Sequence, residues 1–308
     1  MAEWLLADVG ASHTRLARGT GQGLCSGTAR RYVNADFAGL APLMVAYLDG
    51  APVDAVCAGV AGPVRAGTAQ LTNLDWFIDA AEIARATGAQ AAHLLNDLQA
   101  QAHALYDLPA ASILPLVRGV PDPDGPRMVM GLGTGSNIAV AHRVGERLFV
   151  PPAEAGHSGL PHMGRAENEL IAALGREVVH KPYEAFLSGP GLARLHRLRT
   201  GQEQAPERII AGYETGADNA RHTLETFGHI LGTVMGNLAL THMSTGGVYL
   251  IGGLARAIAP HFNDLECHRH FCAKGPYTQI MRNMPISLVT NDHAALLGCL
   301  HHLRCILK

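Results

Sequence analysis

Trp4-Leu-Leu-Ala-Asp8-Val-Gly10-Ala-Ser12 reads as a buried strand that ends in a carboxylate and a glycine turn. The residues after Gly10 predict a second strand around Thr14 to Arg18, as a hairpin requires. The plan returns downstream. After the turn-rich Pro121-Asp-Pro-Asp-Gly-Pro126, Met128-Val-Met130 runs into Gly131-Leu-Gly133-Thr-Gly135, and a further strand follows at Ile138 to Ala141. Two halves that each open on a hairpin and a glycine turn predict a mixed α/β chain with a duplicated plan.

Between these openings, Val53 to Val60 is an apolar, β-branched run stopped by Ala-Gly62-Pro63. Ala80 to Thr87 has helical composition and closes at Gly88. Ala92 to Leu95 predicts a short strand that stops at Asn96-Asp97, and Leu98 to Leu105 predicts the helix after it. A carboxylate therefore stands at a strand end, where α/β sheets commonly hold ligands. Glu167 to Leu174, Ala217 to Leu240 and His293 to Leu303 read as helices, and Gly247 to Ile251 as a strand running into Gly252-Gly253. No short-period repeat or heptad run points to a solenoid or coiled coil.

A chain of 308 residues with 48% hydrophobic content can bury the cores of two domains. With 16% charged residues and a net charge of −2, it offers neither a basic groove for nucleic acid nor an acidic tail, which favours a small-molecule partner. The apolar run at the start ends at Asp8, too soon for a signal peptide or membrane span, so a cytoplasmic protein is expected. Six scattered cysteines read as free thiols. Cys267-His-Arg-His270-Phe-Cys272 lacks the two separated ligand pairs of a zinc site, and the remaining histidines call for no special role.

Backbone amides bind phosphate at turns where no side chain blocks approach, and three such turns occur: Asp8-Val-Gly10-Ala11-Ser12, Gly133-Thr134-Gly135 and Gly252-Gly253. Asp8 suits a magnesium ion held through water, or simply caps its turn. In this order the three turns resemble the two phosphate loops and the adenosine loop of the actin-like ATPase superfamily. Leu71-Thr-Asn73, Leu95-Asn96-Asp97, Glu154-Ala-Gly156-His157 and Glu184-Ala-Phe-Leu-Ser188-Gly-Pro-Gly191-Leu further resemble the bacterial glucokinase family, over nearly the whole chain.

That resemblance implies a two-domain actin-like ATPase (ribonuclease H-like) fold with a nucleotide and sugar cleft between the domains. The small domain is expected to hold residues 1–107 with 293–308, and the large domain residues 108–292. It implies ATP-dependent phosphorylation of glucose to glucose 6-phosphate, with ATP and Mg2+ and with Asp97 as the general base. It makes Asn96, Glu154, His157, Glu184 and Asn73 sugar contacts, and it implies a homodimer. Phosphoryl transfer needs one carboxylate aimed at the attacking hydroxyl, and polyols want acceptors and donors of these types.

The first loop departs from the family's Asp-x-Gly-Gly-Thr-Asn-x-Arg, since Gly10 is followed by Ala11, Ser12 and His13. A sugar-binding pseudokinase is therefore one alternative, and a kinase for another hexose is a second, because hydroxyl stereochemistry is read by geometry that sequence does not give. No cysteine-rich zinc motif follows Glu154-Ala-Gly-His157, which argues against the related zinc-containing sugar kinases.

Overall fold

The computed structural model describes residues 2–71 and 74–307, so the expected sugar contact Asn73 lies outside the described residues. The first elements are β1 (Glu3–Val9), β2 (His13–Thr20), β3 (Gly23–Leu24), β4 (Arg30–Val33), α1 (Leu40–Leu48) and β5 (Ala55–Val60). A small three-stranded sheet follows, formed by β6 (Val64–Arg65), β7 (Thr68–Gln70) and β8 (Phe77–Asp79). Next come α2 (Ala80–Thr87), β9 (Ala91–Asn96) and α3 (Asp97–Ala104). The chain continues through β10 (Ile113–Val117), β11 (Arg127–Leu132), β12 (Ser136–Val144), β13 (Arg147–Phe149), α4 (Arg165–Leu174), α5 (Gly189–Thr200), α6 (Pro206–Glu214) and α7 (Asp218–Thr241). It ends with β14 (Gly247–Ile251), α8 (Gly253–Ile258), α9 (Cys267–Cys272), α10 (Thr278–Asn283), β15 (Ile286–Val289) and α11 (Ala294–Ile306).

Two compact units result. One holds the residues up to Ala110, Ala141–Pro152 and those from Asn291 onward; the other holds Ala111–Val140 and Ala153–Thr290. The sequence reading put 141–152 in the large domain, whereas that hairpin groups with the first unit.

In the first unit the sheet runs β3-β2-β1-β5-β9, with β4 on β2. Strand alternation explains why both faces are buried. Leu5, Ala7 and Val9 of β1 pack with Leu43 and Met44 of α1 and Ile83 of α2. Trp4 and Leu6 point the other way, toward Ala100 of α3 and Leu296, Cys299 and Leu300 of α11. Leu5 and Leu6 are fully buried, each contributing about 1.5–3 kcal/mol of transfer free energy. β1, β5 and β9 are parallel, and their register sets Val9 beside Val60 and Val60 beside Asn96. The glycine turn after β1 and the Asn96-Asp97 step after β9 therefore leave the same sheet edge.

In the second unit the order is β10-β15-β14-β11-β12, with β11, β14 and β15 parallel. Gly131 pairs with Ile251, so the turns at 133–135 and 252–253 also leave one edge together. The core behind them includes Phe186, Leu192, Phe227, Leu231 and Phe271.

Candidate functional site

Asp97 is the first residue of α3, and Asn96 is its N-cap. Asn96 Oδ1 accepts from Leu98 N at 2.9 Å, while Gln99 Oε1 accepts from Asn96 N at 3.0 Å, a reciprocal capping box. Asn96 is 7% exposed, and its Nδ2 donates to the Gly62 carbonyl at 3.3 Å. An amide nitrogen carries two N–H donors, and this contact uses one of them. Gln99 is anchored in turn by donating to the Val150 carbonyl at 2.8 Å, so the strand-to-helix step that presents Asp97 is fixed on three sides.

The first glycine turn is closed internally. Gly10 N donates to His13 O at 3.0 Å, and Ser12 Oγ meets His13 Nδ1 at 2.9 Å. Asn34, fully buried, organises it from behind. Its Nδ2 donates to Gly10 O at 2.8 Å, its backbone N donates to Ser12 O at 2.9 Å, and its Oδ1 accepts from Thr14 Oγ1 at 2.7 Å. Sequence reasoning missed Asn34, because one Asn in a polar stretch carries no periodic signal. Asp8 Oδ2 accepts from Arg15 Nη1 at 3.2 Å. Burial raises the Asp8 carboxyl above its ordinary range, and Arg15 opposes that shift.

In the second unit Glu184 stands at the centre of a set of short contacts. Its Oε2 accepts from Ser136 N at 2.7 Å, which ties the turn at 133–135 to the carboxylate. Gly133 N donates to Gly135 O at 2.9 Å, and Gly133 O accepts from Gly189 N at 2.7 Å. The Ser188-Gly-Pro-Gly191 run thus opens α5 and braces the turn. Ser188 Oγ caps α5 by accepting from Gly191 N at 3.0 Å, and it donates to Glu184 O at 2.9 Å.

Glu154 Oε2 accepts from Asn137 Nδ2 at 3.0 Å. The same nitrogen donates to Ala153 O at 2.7 Å, making Asn137 a positioning residue that the sequence reading did not single out. Burial raises the Glu154 carboxyl above the usual range; nearby His157 opposes the shift and the like charge of Glu184 adds to it. The glycine in Glu154-Ala-Gly156-His157 has a steric reason, since a Cβ there would lie 1.9 Å from the Ser136 carbonyl oxygen. Glu154, Glu184 and the 133–137 turn are therefore one connected assembly. His157 is exposed beside it, and its carbonyl accepts from His180 Nε2.

Gly252 precedes α8 at φ +102°, where a Cβ would also meet the Leu132 carbonyl oxygen at 2.3 Å. Only glycine lets the 252–253 turn lie this close to the end of β11. Thr134 and Gly135 are exposed at the tip of the neighbouring turn.

Comparison with known proteins agrees with this layout. A family model described as Glucokinase matches residues 5–305. A protein named Glucokinase from Saccharophagus degradans is 32% identical over 314 residues, covering 97% of each chain. The crystal structure of a glucokinase from an Antarctic psychrotroph has a TM-score of 0.90 at 27% identity, covering 98% of this chain and 99% of that one. A ROK family glucokinase from Streptomyces griseus, in complex with glucose and AMPPNP, shares the fold at 16% identity, with a TM-score of 0.65 over 97% of this chain and 98% of that one.

Proposed function

Because the chain belongs to the glucokinase family, we propose that it transfers the γ-phosphoryl group of ATP to the 6-hydroxyl of glucose, giving glucose 6-phosphate and ADP. The observation that carries this reading is the family match across residues 5–305. The fold is the mixed α/β, actin-like ATPase fold of the glucokinase and ROK sugar kinases.

Asp97 acts as the general base. As the 6-hydroxyl oxygen attacks the γ-phosphorus, the proton passes to the Asp97 carboxylate and the bond to the β-phosphate oxygen breaks. Support for this role is its place on the row of strand ends that also carries the 8–12 turn. Asn96 donates its remaining amide N–H to a sugar hydroxyl. Glu154 and Glu184 accept from sugar hydroxyls, His157 completes the polar ring, and Asn73 belongs to the same set by its motif. Glu184 Oε2 already takes the Ser136 amide, so its other oxygen faces the sugar.

The phosphates rest on the turns that begin at Gly10 and Gly133, and adenosine is seated by Gly252 and Gly253. The amides of Gly10 and Gly133 close their own turns, so the cradle falls to those that follow: Ala11 and Ser12, Thr134 and Gly135. Ala11 adds a methyl group but removes no amide. The donor set suits magnesium, since Asp8 offers a hard carboxylate oxygen beyond the one used by Arg15. Asp8 would hold the ion through water, and magnesium when bound neutralises charge on the phosphate oxygens.

Among the described residues no helix is long and apolar enough to cross a membrane. A cytoplasmic location and a homodimer built on the second unit complete the proposal. ADP release with magnesium-ATP and a panel of hexoses tests the substrate. Glucose is expected to support the highest kcat/KM; a faster fructose, mannose or amino sugar would overturn the sugar assignment.

A further inference from the structure

On α7, Gly228, Gly232 and Gly236 recur every fourth residue, and the segment from Leu265 through α9 lies against that stripe. A Cβ on Gly228 would stand 2.4 Å from the Leu265 carbonyl oxygen, one on Gly232 2.2 Å from that of Cys267, and one on Gly236 2.5 Å from that of Phe271. Side chains larger than hydrogen have no room, so the two backbones touch and the residues flanking the stripe are forced together.

His229 follows Gly228, and its ring stacks on that of His270 of α9, with centroids 4.1 Å apart and planes at 24°. Glu266, the N-cap of α9, places Oε2 3.6 Å from His229 Nε2. Ligand atoms of His229, Glu266 and His270 all lie within 4.8 Å of one another. Behind them, His229 Nδ1 meets Glu167 Oε1 at 3.2 Å. A histidine that ligates through Nε2 keeps its proton on Nδ1, and Glu167 Oε1 stands where it would accept that N–H. His229 Nε2 and Glu266 Oε2, 3.6 Å apart, lie outside hydrogen-bond range of each other, and an ion between them would engage both.

We propose that His229, His270 and Glu266 bind a divalent ion of the zinc class, with Glu167 as the positioning residue. Two imidazoles and a carboxylate suit zinc, and a carboxylate on the far nitrogen of a ligating histidine fixes its tautomer and orientation. A tetrahedral ion with ligands at about 2.0 Å needs them about 3.3 Å apart, a contraction that side-chain rotation supplies. Arg269 Nη1 now meets both Glu266 oxygens at 2.8 Å from an exposed position, and it yields one of them on binding. Of the Cys267–Cys272 run only His270 takes part: Cys267 is buried in the core, and Cys272 Sγ meets His268 Nε2 at 3.2 Å. The ion staples α9 to α7, and the proposal does not rest on the kinase reading.

The test uses the full chain stripped with chelator, titrated with Co2+ by absorption spectroscopy and with Zn2+ by competition calorimetry. One equivalent per chain is expected, lost in His270→Gln and in the exposed-site variant Glu266→Gln. Glu167→Gln should weaken binding by roughly ten- to a hundredfold without abolishing it. The thermal midpoint should rise with free Zn2+ in the parent chain, less at the same Zn2+ concentration in Glu167→Gln, and not in His270→Gln or Glu266→Gln. Failure to bind Zn2+ at micromolar concentration, or equal binding by His270→Gln and Glu266→Gln, would overturn the assignment.

Discussion

Replacing Glu184 with Ala should damage both substrates' binding, although only the sugar is assigned to its carboxylate. Glu184 Oε2 accepts from the Ser136 amide at 2.7 Å, and Ser136 follows directly on the 133–135 turn. A hydrogen bond to a charged group contributes about 1.5–3 kcal/mol, and removing the acceptor leaves a buried donor unpaired. Ser136 is 4% exposed, so water does not readily replace the lost partner. At about 1.4 kcal/mol per tenfold, the loss corresponds to a roughly ten- to hundredfold rise in the KM for ATP, besides the rise for glucose. Glu184→Gln keeps an acceptor for the Ser136 amide, so its effect should concentrate on glucose. Steady-state kinetics with each substrate varied in turn separates the two. An Ala variant that raises KM for glucose while leaving KM for ATP unchanged would refute the reasoning that this carboxylate organises the phosphate turn.

Asn34→Ala should lower stability by about 1–3 kcal/mol, because Thr14 and the 10–12 turn lose their buried partner, and it should raise the KM for ATP; chemical denaturation and kinetics check both. Gly156→Ala should cost about 1–3 kcal/mol or more and weaken glucose binding, since its Cβ would collide with the Ser136 carbonyl at 1.9 Å; calorimetry with glucose reads the second effect. Burial, then neighbouring imidazoles, lowers His103 to about 3 and His302 to about 4. Both folded values lie below the ordinary 6.5, so their contribution is complete above that pH and is lost as pH falls, through about 4 for His302 and about 3 for His103. The slope should approach about 1.4 kcal/mol per pH unit for each histidine, and His103→Leu should flatten the acid limb of a stability–pH curve.

Much of this architecture was legible because hydrophobic runs and punctuation agree. Ala80 to Thr87 and Gly247 to Ile251 were read with the bounds they have, and the strand into Asn96-Asp97 was off by one residue at each end. β10 escaped because Pro115 interrupts its pattern; it is tolerated there because β10 is an edge strand. The whole of α5 was missed, since it opens on Gly189-Pro-Gly191, which looks like a turn, yet Pro near a helix start and a Ser188 cap are compatible with a helix. Asn34 and Asn137 were invisible for another reason. Each acts through contacts with residues distant in sequence, and no local spacing encodes such contacts. The histidine and glutamate cluster on α7 and α9 is of the same kind, since its members are brought together by glycines that read only as helix-weakening residues.

The most direct measurement is ADP release by the purified chain and its Asp97→Ala variant, with magnesium-ATP and glucose, alongside calorimetric glucose binding for both. The account predicts glucose-dependent turnover in the parent chain, and in the variant a turnover reduced by at least about a hundredfold with glucose binding retained. Near-normal turnover in the variant would remove Asp97 from the base role, and a parent chain that binds glucose without releasing ADP would contradict the kinase assignment itself.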